Sequence, residues 1–299
     1  MNHSHIIGTG SAIPERILSN KDLEAIVDTT NEWIVRRSGI RERRIASNKR
    51  EESTTHLATK ASVRALEMAN ISPENLDMII VGTVTSDRQF PSTACMIQEA
   101  MNAGNAAAFD VSAGCSGFLY ALTVADNAIS CGTCKTALVV GVERLSSVIN
   151  WQDRGTCVLL ADGAGAVVLS AKPTRGGILS SHLKSDGKLW EFLHSADGNS
   201  FVPATLKDVA KQPFHLKMKG NPLFKRAMRI IEALAKNIEI PMEKVYTNIQ
   251  KYGNTSSATI PIALDEANRE GRLMKGAHVL LVSFGAGLTW AASVLQWTL

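Results

Sequence analysis

Residues 105–130, NAAAFDVSAGCSGFLYALTVADNAIS, read as a strand, a glycine-flanked turn and a helix in direct succession. The small and apolar run 105–111 predicts a buried strand. From Ser116 to Ser130 the apolar positions recur at three and four, which predicts an amphipathic helix. Cys115 falls on the junction, with Gly114 and Gly117 on either side permitting a tight turn and close approach to the backbone. A thiol there meets unpaired N–H groups and the positive end of the helix dipole, both of which favour the thiolate. Its own N–H can face a carbonyl oxygen bound at the turn. The plain alternative is a small cysteine buried in a core turn, and this stretch alone does not separate the two.

The same alternation extends outward. Residues 76–84 (LDMIIVGTV) and 136–142 (TALVVGV) are nearly continuous apolar runs, as in strands buried on both faces. Residues 54–68 carry helical spacing. Residues 157–159 and 166–170, split by ADGAG, read as a pair of closing strands. From about Lys172 to Lys219 the chain is loop-like. A shorter α/β pattern then resumes: helix 223–237, strand 245–248, helix 261–270, strand 279–283 and a closing Gly-turn-strand. Both halves end with GAG before a small, β-rich strand, in ADGAGAVVLS and FGAGLTWAASVLQ. This predicts a duplicated α/β fold with halves 1–171 and 172–299, packed as one body because no linker separates them.

The bulk properties narrow the function. A 299-residue chain with 45% hydrophobic content can bury a large core. A net charge of +4 from scattered basic residues argues against nucleic acid as the main partner. No run reaches the ~18 apolar residues of a membrane span, and the N-terminus does not read as a signal peptide. Five cysteines at irregular spacing suit a reducing cytoplasm better than a disulfide framework. Cys131-Gly-Thr-Cys134 has no second pair for zinc and no following helix to activate it, so it reads as incidental.

YGNTSS (residues 252–257) places Asn254 in a turn after a strand, and SFGAG (283–287) supplies another strand-end turn. Open α/β sheets gather their active sites at such turns. With IIGTGSAIPE, DTTNEWIVRRSGIRERR, FPSTAC, DVSAGCSGF, DRGT, ADGAGA, MKGNPLFK, RIIEALAK, PIALDEA and FGAGLTW, in that order along nearly the whole chain, the sequence resembles the β-ketoacyl-acyl-carrier-protein synthase III condensing enzymes. The resemblance implies a thiolase-like fold, two α/β halves in a five-layered αβαβα sandwich.

It also implies a reaction. Cys115 takes the acyl group of an acyl-CoA primer, usually acetyl-CoA, as a thioester. Malonyl-acyl-carrier protein loses carbon dioxide, and its carbanion attacks that thioester to give a 3-oxoacyl product. The N–H groups of Cys115 and Ala286 form the oxyanion hole, Asn254 donates to the enolate oxygen, and Phe284 shields the carbanion. Trp33 and Arg154 sandwich the adenine of CoA, while Thr29, Arg37, Gly155, Asn221 and Phe224 line its tunnel. Phe90 reaches the partner's acyl pocket in a homodimer, with Leu288 also bearing on primer choice. Lys225, Arg229 and Lys236 face the acidic carrier protein. CoA thioester is a substrate, and neither a cofactor nor a metal is implied.

One family element is missing. The second catalytic residue, a histidine in a Pro-His-Gln-Ala-Asn segment, should precede RIIEALAK, yet MKGNPLFKRAM runs straight into it. About thirty residues are lost there, a helix and a core strand, more than one βα step. None of His3, His5, His56, His182, His194, His215 or His278 substitutes by sequence. The expectation is therefore a synthase with acylation intact. A transacylase or slow thioesterase, or a non-catalytic acyl-binding paralogue, are the alternatives that the gap leaves open.

Overall fold

Five strands build the first sheet of the computed structural model, whose described residues are 2–47, 49–195, 215–219 and 239–299. They are β1 (His3–Ala12), β2 (Met78–Gly82), β3 (Ala107–Val111), β4 (Thr136–Arg144) and β5 (Asp162–Lys172), in the order β1-β5-β4-β2-β3. β5 runs antiparallel to β1 and β4, whereas β4, β2 and β3 are parallel. Parallel strands with both faces covered need no polar alternation. β4 accordingly buries seven consecutive residues, Ala137 to Glu143.

α1 (Asn31–Ser38) packs Ile34 into a small peripheral core with Leu23, Ile40 and Val158. α2 (Thr54–Ala69), capped by the Ser53 hydroxyl, covers one face of the sheet, with α3 (Thr93–Ala100) beside it. The opposite face receives α4 (Gly117–Ser130) and α5 (Thr259–Arg269). Phe118, Leu119 and Leu122 of α4 are fully buried, each stabilising by about 1.5–3 kcal/mol through area removed from water.

Beyond α4 and α5 lies the second sheet. Its strands are β6 (Gly177–Ser185), β7 (His278–Gly285) and β8 (Thr289–Gln296), in the order β7-β8-β6, all antiparallel. Leu281, Ala291 and Leu295 share one apolar cluster with Phe118, Leu122 and Val139, so α4 is a layer common to both sheets. The order β6-β8-β7 repeats β1-β5-β4, including strand directions, which is the duplication read from the two GAG closures. Four of the five expected layers lie among the described residues. The expected helix 223–237 lies outside them.

Three strand expectations are corrected. ADGAG does not split two strands: residues 157–159 belong to a helical turn, and β5 runs unbroken from Asp162. Its glycines serve packing, since a Cβ on Gly165 would stand 2.6 Å from the Ile262 nitrogen of α5. The stretch after Lys172 is not all loop, because β6 occupies Gly177–Ser185; its polar residues face solvent from a sheet edge. Residues 245–248 form no strand and follow a 3₁₀ turn at Met242–Lys244. In the first sheet β4 pairs with β2 on its far side, and β2 with β3. Among the described residues β7 has no such neighbour. By the plan of the first sheet a strand beside β7 would reach residues 245–248, and none is present there among the described residues.

Candidate active site

Cys115 lies in a 3₁₀ turn, Gly114–Ser116, between β3 and α4, as the strand–turn–helix reading requires. Gly114 adopts φ +56°, and a Cβ there would stand 2.5 Å from the Ala286 nitrogen, so only glycine lets the two backbones meet. Gly285 plays the reciprocal part, its missing Cβ making room for the Cys115 nitrogen. Thr289 fastens the junction. Its hydroxyl donates to the carbonyl oxygen of Ala113 at 2.8 Å, with the Ala286 carbonyl oxygen 3.1 Å away. The β7–β8 turn of the second sheet is thus tied to the nucleophile turn of the first.

The result is a convergence on the Cys115 sulfur. The backbone N–H groups of Cys115 and Ala286 and the Ser256 hydroxyl all act on it in the direction that favours the thiolate. Burial nevertheless pushes the thiol above its ordinary value, and the buried carboxyl of Glu143 pushes the same way against those three donors. This reverses the expectation of a thiolate favoured by the helix terminus. The physical reason is that desolvation outweighs neutral donors when no cation stands among the main influences. None of the seven histidines is among them. His5, for example, is held by the Thr174 carbonyl and Thr298, and His194 packs edge-on against Trp190.

Asn254 enters from a loop that follows a helical turn, Ile249–Tyr252, rather than a strand. Its backbone is clamped by the Leu159 carbonyl and the Ala161 N–H, and its Oδ1 accepts the Ser256 N–H at 2.9 Å. That leaves the Nδ2 hydrogens as donors. Phe284 is half-buried on β7 and stacks on Trp290 at 5.7 Å and 8°. Phe90 is 83% exposed, an unusual state for a phenylalanine. Leu288 is buried.

The residues expected to hold CoA form a separate cluster. Two guanidinium groups stand over the Trp33 ring, Arg37 at 4.7 Å and Arg154 at 4.8 Å. A base seated between Trp33 and Arg154 needs about 7–8 Å, two van der Waals contacts, so Arg154 must swing aside to admit one. Arg154 is also held by the Asp28 carbonyl at 2.6 Å. The Thr29 hydroxyl is buried with no hydrogen-bond partner, and the exposed Gly155 donates its N–H to Asp153. Asn221, Phe224, Lys225, Arg229 and Lys236 lie outside the described residues. A groove of about 840 Å³ between α2 and α5, lined by Ser11, Arg64, Asp265 and Glu266, contains none of the neighbours of Cys115.

Sequence reasoning missed Glu143 and Ser256. Glu143 is wholly buried at the end of β4 and is held by Thr85 Oγ1 at 2.5 Å, the Val84 N–H at 3.2 Å and Ser256 Oγ at 3.3 Å. Burial raises its carboxyl to about 7. The signal was present in VVGVE, an acid closing an otherwise apolar strand. The CxxC pair is unequal: Cys131 is exposed, whereas Cys134 is buried and pushed up to about 11.

Two stacked α/β halves sharing a helical layer are the architecture of the thiolase-like acyltransferases. The family model for 3-oxoacyl-[acyl-carrier-protein] synthase III matches residues 109–187, and the model for the C-terminal part of that synthase matches 224–297. The β-ketoacyl-[acyl-carrier-protein] synthase III of Caldanaerobacter subterraneus subsp. tengcongensis is 48% identical, over 98% of this chain and 97% of that protein. The crystal structure of 3-oxoacyl-[acyl-carrier-protein] synthase III from Aquifex aeolicus superposes with a TM-score of 0.89 at 43% identity, covering 98% and 100% of the two chains. A priming β-ketosynthase of the R1128 polyketide pathway gives 0.90 at 32%, covering 99% and 96%. The chain belongs to the β-ketoacyl-acyl-carrier-protein synthase III family and is a condensing acyltransferase. The 324-position alignment takes in 98% of a 299-residue chain, so about thirty positions of the Caldanaerobacter protein face no residue here. That is the size of the segment missing before RIIEALAK.

Proposed function

We propose that this chain condenses an acyl-CoA primer with malonyl-acyl-carrier protein to begin fatty-acid synthesis, through a thioester on Cys115. The observation that carries this reading is the close approach of the Cys115 and Ala286 turns, where a Cβ on Gly114 would stand 2.5 Å from the Ala286 nitrogen and one on Gly285 2.6 Å from the Cys115 nitrogen. Two backbone donors fixed at the reacting atom need no reorganisation when a carbonyl oxygen there gains charge. They serve twice, once as CoA leaves and once as the carbanion attacks.

The second half-reaction rests on Asn254, whose Nδ2 hydrogens would hold the malonyl enolate oxygen after carbon dioxide departs. The family's histidine would have supplied the other donor. Losing one such donor typically costs ~10²–10³ in rate, so condensation runs slowly and acylation does not. In this reading Thr29, Trp33, Arg37, Arg154 and Gly155 bind CoA, with the unpartnered Thr29 hydroxyl supporting a ligand at that surface. Phe284 shields the carbanion. The exposed Phe90 ring supports a homodimer in which it is covered by the partner. Halves 1–171 and 172–299 act as one body. No described helix is long and apolar enough to cross a membrane, and the chemistry belongs in the cytoplasm.

Incubation with radiolabelled acetyl-CoA, followed by malonyl-acyl-carrier protein, tests this. The expected result is a label on Cys115 that turns over slowly into 3-oxoacyl product. A labelled protein that yields no product would reduce the activity to transacylation, and no label would sink the reading.

A further inference from the structure

Asn254 is reached through a stretch that belongs to no strand, residues 245–248, and then through the four-residue turn Ile249–Tyr252. An isolated helical turn that short has no stability of its own. What gathers it is a single carboxylate on α5. Glu266 accepts the Asn248 Nδ2–H at Oε2, 2.9 Å away, and at Oε1 the Lys251 ammonium and the Tyr252 hydroxyl, at 3.0 and 3.1 Å. These three donors occupy the N-cap and the last two positions of the turn. At the C-terminal end of α5, Glu270 accepts the Tyr246 hydroxyl at 3.1 Å, so residues 246–252 run along this helix. The helix is itself anchored on its other side. Asp265, buried beside Glu266 in sequence, accepts the Thr9 and Ser11 hydroxyls of β1 at 2.8 and 2.6 Å. Burial works against the Glu266 carboxylate, yet its three donors hold it below its ordinary value, so it is an acceptor for all of them at neutral pH.

Resting on the role given to Asn254 above, we propose that Glu266 is a positioning residue for condensation, fixing the turn from which the Asn254 amide is presented to the enolate oxygen. Downstream of the turn, the Asn254 backbone is bonded to the Leu159 carbonyl and the Ala161 N–H, at 2.8 and 2.9 Å. Between the two anchors stands Gly253 at φ +67°, where a Cβ would meet Ala161 and Arg43 Cβ atoms at 3.1 Å. The Asn254 amide is therefore set from both sides, by the first-sheet loop and by α5. Released from Glu266, the turn is free to shift, and a misplacement of about 1 Å near reacting atoms costs about 10²-fold in rate. Acylation does not draw on this anchor, because its donors come from the Cys115 and Ala286 turns, which Thr289 ties together.

Single-turnover labelling separates the half-reactions in Glu266→Ala, which strips all three bonds. Acetyl-Cys115 should form within a few-fold of wild type. Its conversion to 3-oxoacyl product should fall by about 10²-fold, with KM for malonyl-acyl-carrier protein unchanged. Glu266→Gln keeps one oxygen for Lys251 and Tyr252 and should recover most of that loss. In an Asn254→Ala background Glu266→Ala should cost nothing further, because no amide is left to aim. Wild-type condensation in Glu266→Ala, equal loss of both half-reactions, or a full additional loss on top of Asn254→Ala would each overturn the proposal. Should Glu266→Ala fail to fold, Tyr252→Phe combined with Asn248→Ala removes two of the donors and should show the same selective loss, whose absence would also overturn it. An Asn254→Ala variant that condenses at the wild-type rate would sink the reading of Asn254, and the positioning role with it. An inactive Asn254→Ala beside a fully active Glu266→Ala would sink the positioning role alone.

Discussion

The backbone N–H of Ser256 donates to Oδ1 of Asn254 at 2.9 Å, which fixes the amide so that only its Nδ2 edge is left to donate. A side chain free to flip would offer donor and acceptor edges alike. Tied this way, it is a one-signed group, suited to a developing oxyanion and unsuited to a proton donor such as a carboxylic acid's neighbour water.

Asn254→Asp replaces that donor edge with a carboxylate oxygen of nearly the same shape. Condensation is expected to fall by a further ~10²–10³-fold, while the yield of acetyl-Cys115 stays within a few-fold of wild type. Single-turnover labelling, with and without malonyl-acyl-carrier protein, separates the two steps. Equal loss in both would remove Asn254 from the second half-reaction.

Gly114→Ala and Gly39→Ala form a matched pair. Both positions have positive φ, +56° and +75°, but an added Cβ meets the Ala286 nitrogen at Gly114 and open space at Gly39. Gly39→Ala should cost about 1 kcal/mol of backbone strain and leave acylation intact. Gly114→Ala should cost roughly 1–3 kcal/mol more and abolish acylation, by prising the oxyanion donors apart. Urea unfolding and acetyl labelling of both variants provide the check.

Stability should depend on pH through Glu143. Its carboxyl titrates near 7 in the folded chain against an ordinary 4.5, so the native state binds the extra proton between those values. The native state's advantage is therefore complete below about pH 4.5 and is lost as pH rises through 7, by on the order of 3 kcal/mol. Glu143→Gln lacks this titration. The variant should gain on the wild type between pH 5 and pH 8 in urea unfolding, and a constant difference across that range would contradict the assignment.

Arg154→Ala should act on CoA binding alone. The guanidinium covers one face of Trp33 at 4.8 Å, an exposed contact of about 0.5–1 kcal/mol that a stacked adenine would inherit. KM for acetyl-CoA should rise a few-fold with the single-turnover acylation rate unchanged at saturation. A change in that rate instead would place Arg154 in the chemistry.

What the sequence made legible was local. Cys115 could be placed because a strand, a glycine pair and a helix follow one another within 26 residues, and both periods are visible in the side-chain pattern. Ala286 could be placed only by resemblance, since nothing in SFGAG says which turn it will face. Glu143 and Ser256 escaped because their meaning is an encounter between β4 and a loop 113 residues away. The same holds for ADGAG. Glycines there look like a turn until Ile262 and Pro261 of α5 are seen resting on them. Residues 245–248 have strand composition and no strand, because pairing depends on a neighbour that lies elsewhere in the chain, and no such neighbour stands among the described residues.

The Thr289 hydroxyl, donating to the Ala113 carbonyl, makes the nucleophile a hostage to the second sheet. Among the described residues that sheet has three strands against the first sheet's five, and β7, which leads into the Ala286 turn, is its outermost. Regions with fewer packed neighbours open at lower free energy than the whole molecule unfolds. As the temperature rises, the β7–β8 hairpin should let go before the five-stranded sheet melts. Catalysis would then disappear in a protein whose circular dichroism still reads as folded, and it would return on cooling.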